Sequence, residues 1–150
     1  MSAELRKFIL RFAGAMLIIL GVLHLAVTPF IARLIAENVT EEVRVWLTPP
    51  MLLNHIVVGV LLLPLGILTF YAAPSAVIDE PWALIVTRVS AVTVTILPLV
   101  LFLLMGGRYF GAAPFVVATA IVCVVALTLL AAAFWPTNRV ADETSREQKK

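Results

Sequence analysis

Charge is scarce in this sequence. Only 13% of its 150 residues are Asp, Glu, Lys or Arg, against about 25% in an ordinary soluble domain. That excludes a disordered chain, which needs charge and polarity to stay solvated. Cysteine is nearly absent. Cys123 stands alone, so there is no disulfide framework, no CxxC zinc spacing and no CxxCH haem attachment. No P-loop, HExxH or Ser-His-Asp arrangement can be read, which removes the motif grounds for an ATPase or a hydrolase. The formal net charge of +2 is small and dispersed, which argues against a nucleic-acid partner.

What is abundant is apolar surface. Hydrophobic residues make up 62% of the chain, against about 45–50% in a typical soluble domain. A globule of this size cannot bury so much, and the composition points to a polytopic membrane protein in the lipid bilayer. Crossing the hydrocarbon layer takes about 20 mostly apolar residues in a helix. Four stretches qualify, at about 8–33, 51–71, 82–105 and 113–135. Helices and closed barrels are the structures that satisfy every backbone polar group in lipid. A barrel needs alternating apolar and polar residues, which runs such as 56–63 and 116–126 lack. The first stretch has a basic start (Arg6, Lys7), as a signal peptide does. Its apolar part is longer than the usual core of about 7–15 residues, so it reads as a span.

The breaks carry turn chemistry: residues 38–50 ending in Pro49-Pro50, then Pro74, Ser75, Asp79 and Pro81, then Gly106, Gly107 and Gly111. Connections this short force antiparallel neighbours. The expected fold is all-α, an antiparallel four-helix transmembrane bundle over residues 1–136, with a disordered cytoplasmic tail at 137–150. Within the first connection, Ile35, Val39, Val43, Trp46 and Leu47 form an amphipathic stripe, with Thr40 as a candidate N-cap before Glu41 and Glu42. A short amphipathic helix is expected there, lying at the outer surface.

Lysine and arginine set the orientation. The side carrying both termini holds Arg6, Lys7, Arg11, Arg88, Arg139, Arg146, Lys149 and Lys150; the other holds Arg33, Arg44 and Arg108. Both termini are therefore expected in the cytoplasm, with the chain in the plasma (inner) membrane. Tyr71, Trp82 and Trp135 fit the inner aromatic belt, Trp46 and Tyr109 the outer.

Polar side chains inside the spans need a reason. His24 and His55, the two histidines of the chain, both fall in the outer half of adjacent spans. His24 shares a helix face with Leu17, Gly21 and Thr28, and His55 with Gly59, Leu62 and Gly66. Each histidine thus has glycine beside it, where a backbone or a flat cofactor can approach closely. Three chemistries follow. In the first, the histidines are hydrogen-bonded helix joiners, with Asn54 or the Thr87, Ser90, Thr93 and Thr95 series as partners. They could instead hold a b-type haem axially, with Gly21 and Gly59 seating its edge and Arg33, Arg44 and Arg108 receiving the propionates. A metal held by His24 and His55 is the third, with Cys123, Met51 and Met105 as the only soft additions. Arg88 can snorkel to the inner surface, with Asp79 and Glu80 near enough in sequence to pair with it. Pro64 and Pro98 mark kinks inside spans. The expected function is a small accessory or packing subunit without catalysis of its own, beside another membrane protein or a second copy. The alternative is a haem-binding electron-transfer protein.

Overall fold

The computed structural model describes residues 1–109 and 113–135, with the side chains of 105–109, 114 and 115 left aside. The described part is all-helical. Helix α1 spans Ala3–Asn38, α2 Glu41–Val77, α3 Pro81–Tyr109 and α4 Ala113–Phe134. All four are long and apolar enough to cross a membrane. The expected tail at 137–150 lies outside the described residues.

Local chemistry explains the ends. Ser2 caps α1, its hydroxyl accepting from the Leu5 N–H at 3.3 Å, with Glu4 in the positive first turn. Thr40 occupies the N-cap position of α2 as expected, though its hydroxyl makes no cap bond. The end of α2 is a Schellman motif: the Glu80 N–H bonds the Ser75 carbonyl and the Asp79 N–H the Ala76 carbonyl. Asp79 takes the left-handed position, with φ at 60°. Pro81 opens α3 at the first helical position, where a missing N–H costs nothing.

Two expectations about breaks change. The stripe around Val43 and Trp46 is helical, but as the first turns of α2 rather than as a separate short helix. Pro49 and Pro50 do not end the helix. They remove two ladder bonds, to the carbonyls of Val45 and Trp46, and both of those residues are exposed, so other donors can reach the freed groups. Pro29, Pro64, Pro74 and Pro98 likewise sit inside helices.

The core occupies one end of the molecule. It is built from Leu10, Ala13 and Leu17 of α1, Leu62 to Ala76 of α2, Ala83 to Val94 of α3 and Val125 to Ala133 of α4. Alanine dominates, which lets the helix backbones approach. The contact between α1 and α2 is the most extensive of the helix pairs. Along it, Gly14 lies against the backbone of Gly66 and Phe70, and Gly21 against Gly59, so the partner number falls as α1 advances. Past the core, the half of α1 and α2 nearest their joining turn adds only Gly21, Ile35 and Gly59 to the buried set.

A buried arginine ties the core end together. Arg6 is 3% exposed. Its Nε donates to the Ala132 carbonyl at 2.9 Å, and a terminal guanidinium nitrogen lies 3.4 Å from Asp79 Oδ1. Ala132 is in the last turn of α4, where carbonyls lack helical partners and a cation complements the dipole. Arg6 thus joins the start of α1, the α2–α3 turn and the end of α4. The pairing expected for Arg88 is different from the one found: its guanidinium lies over the Phe134 ring at 5.5 Å, and Glu80 accepts from the Trp82 indole at 2.6 Å.

Candidate functional site

His24 is fourteen residues before the end of α1 and His55 fourteen after the start of α2. At 1.5 Å per residue each lies roughly 21 Å from the turn that joins the helices. Equal depth on two packed helices brings the rings together. They stack face to face, with centroids 4.4 Å apart and planes tilted by 24°. Both side chains are half-buried.

Thr28 completes the cluster. Its hydroxyl donates to the His24 carbonyl at 2.9 Å, one turn back on its own helix, and lies 3.2 Å from His55 Nδ1. A hydroxyl has one proton. With that proton on the carbonyl, Thr28 Oγ1 can only accept from the ring. His55 is therefore assigned as the Nδ1–H tautomer, with its lone pair on Nε2. The partner is thus Thr28, from the face of His24 itself. Two of the span-three hydroxyls turn to their own helix: Thr87 donates to the Ala83 carbonyl and Thr95 to that of Ala91.

The two glycines seat backbone against backbone. A Cβ on Gly21 would stand 2.9 Å from the Gly59 carbonyl oxygen and 3.1 Å from the Leu63 side chain; one on Gly59 would stand 2.9 Å from Leu25 and 3.1 Å from the Gly21 carbonyl oxygen. Glycine here lets the two backbones approach closely, and that bears on the haem reading. Axial ligation needs two imidazoles end-on to the iron, from opposite faces of a porphyrin, with the helices held apart. Here the rings touch face to face and the glycines beside them are in contact, so the residues as arranged do not fit a haem. The arginines are not gathered either. Arg33 is exposed, nine residues beyond His24, and Arg44 pairs with Glu41 at 2.6 Å on its own helix. The side chain of Arg108, like that of Met105, lies outside the described ones. For a metal, two nearly parallel rings supply two ligands that do not converge. Among the described residues no three His, Cys, Asp or Glu side chains group to hold an ion.

Sequence reading singled out His24, His55, Gly21 and Gly59, and the structure brings these four together. It missed Thr28 as the bridging group, although the spacing of four from His24 was a usable signal. It also counted Arg6 only as a surface charge. Compared with family models, with curated protein sequences and with solved structures, the chain matches none.

Proposed function

We propose that this chain is a small integral membrane protein, an antiparallel four-helix transmembrane bundle with both termini in the cytoplasm, that serves as an accessory or packing subunit without catalysis of its own. The observation that supports this most is the division of the bundle. One end is a four-helix core clamped by Arg6. The other holds the α1–α2 hairpin, whose outward residues, from Val22, Leu23 and Phe30 on α1 to Leu53, Ile56 and Val60 on α2, are apolar and exposed. Faces of this kind suit lipid, a helix of another membrane protein or a second copy. In this reading the histidines join the two helices of the hairpin, and the glycines set their distance.

The competing reading, electron transfer through a b-type haem on His24 and His55, needs the stacked pair to part and the glycine seam to open. An absorption spectrum separates the two. Protein purified from haem-replete cells is expected to show no Soret band. A Soret band that disappears in both His24→Ala and His55→Ala would replace the accessory reading with the haem one.

A further inference from the structure

The histidine cluster sits in a stretch without charge. No Asp, Glu, Lys or Arg stands between Arg11 and Arg33 on α1, between Arg44 and Asp79 on α2, between Arg88 and Arg108 on α3, or anywhere on α4. Tyr71 and Cys123 are the other titratable side chains of those stretches. Tyr71 is sixteen residues further along α2, roughly 24 Å away along its axis, and Cys123 is on α4. The charges nearest in sequence are Arg33 and Glu37 on α1 and Glu41, Glu42 and Arg44 on α2, toward the joining turn, and Arg11 on α1, thirteen residues from His24 on the other side.

Two stacked imidazoles in such a place can hold one proton between them. A second proton would set two positive charges face to face at the 4.4 Å ring separation, with no carboxylate to offset them. Thr28 carries no charge to offset the second proton, and its own proton is on the His24 carbonyl. The helices cannot move toward each other to re-seat the pair, since a Cβ on Gly21 would already stand 2.9 Å from the Gly59 carbonyl oxygen. Separation of the rings relieves that repulsion. Among the described residues the buried core lies at the other end, so the movement bears first on the α1–α2 contact.

We propose that His24, His55 and Thr28 form a proton-responsive joint, closed while the stacked pair carries at most one proton and opened by the second, so that the turn-proximal half of α1 and α2 splays while the Arg6 end stays packed. This goes beyond the accessory role and does not depend on it.

The test uses the full chain in nanodiscs of uncharged lipid. Imidazole ¹⁵N spectra are followed between about pH 8 and pH 4, which brackets ordinary histidine titration. In parallel, spin-label distances are measured in a Cys123→Ser background. One label pair reports on the joint (Phe30→Cys with Leu53→Cys), the other on the core end (Phe8→Cys with Tyr71→Cys). All four positions are exposed. At low pH the first distance is expected to lengthen and the second to stay fixed. His24→Phe keeps an aromatic ring in the stack but removes one charge. It should hold the first distance constant at every pH. A pH-independent first distance in the wild type, or the same lengthening in His24→Phe, would each overturn the proposal. Should His24→Phe not fold, His55→Phe with His24 as the observed ring carries the same comparison.

Discussion

Thr69 carries a hydroxyl with nothing to bond. It is fully buried in α2, and its Oγ1 has no partner among the described residues. An unpaired polar group in an apolar core costs stability, and an apolar isostere removes the cost. Thr69→Val is expected to stabilise the bundle by about 1 kcal/mol, measured by steric trapping or SDS titration. Asp79 is the opposite case, a carboxylate that offsets a buried charge. Asp79→Asn keeps a residue that tolerates the left-handed backbone but leaves Arg6 buried without its counter-charge. A loss of about 2–3 kcal/mol is expected. Adding Arg6→Met should recover most of it, which a double-mutant cycle reads directly; simple additivity of the two losses would disprove the coupling. These two sites also mark what sequence could reveal at this scale. His24 and His55 stood out because polar residues inside an apolar stretch are rare. Arg6 did not, because a basic residue before a span is ordinary; its burial comes from the end of α4, some 126 positions away.

At the scale of the helix, the α1–α2 seam sets the tightest requirement. A Cβ on Gly66 would stand 2.7 Å from the Gly14 carbonyl oxygen and 2.8 Å from the Ile18 amide nitrogen, and one on Gly14 would meet the Phe70 amide at 2.7 Å. Backbone atoms cannot step aside as side chains do. Gly14→Ala and Gly66→Ala should therefore each cost more than Gly59→Ala, whose closest neighbour is the flexible end of Leu25. Overpacking of this kind costs about 1–3 kcal/mol. The same unfolding measurement checks the order, and equal losses at all three positions would contradict it. The helices themselves were legible from the length of their apolar runs, because lipid leaves the backbone so few options. Their limits were not. Proline pairs and serine near Pro74 read as turns, yet α2 carries four prolines internally and begins ten residues before the expected span. A proline deletes one ladder bond, and an otherwise apolar helix 37 residues long survives several such losses.

At the scale of the whole molecule, the Arg6 cluster and the basic residues bear on the same question. Arg6 in the first turns of α1, Asp79 between α2 and α3, and Ala132 at the end of α4 meet within hydrogen-bonding distance. If each helix crosses the bilayer once, that cluster puts the start of the chain and the end of α4 on one side, with the α1–α2 turn on the other. On the proposed orientation, the eight Lys and Arg residues of the terminal side against three opposite predict that this side faces the cytoplasm. Single cysteines in a Cys123→Ser background test this in intact cells with an impermeant maleimide. A cysteine at Glu42, beside the α1–α2 turn, should label from outside. One at Ser145 should label only after permeabilisation. The reverse pattern would invert the orientation, and labelling of both from outside would contradict the three crossings that α2, α3 and α4 would make between the turn and the tail. The orientation also decides which compartment reaches the histidines. With the turn outside, the stacked pair lies roughly 21 Å below the outer end of the hairpin, so an opening joint would answer to the acidity of the external medium. Measuring the label distance across the joint with the pH changed on one side of a sealed vesicle at a time should show a response to the turn side alone.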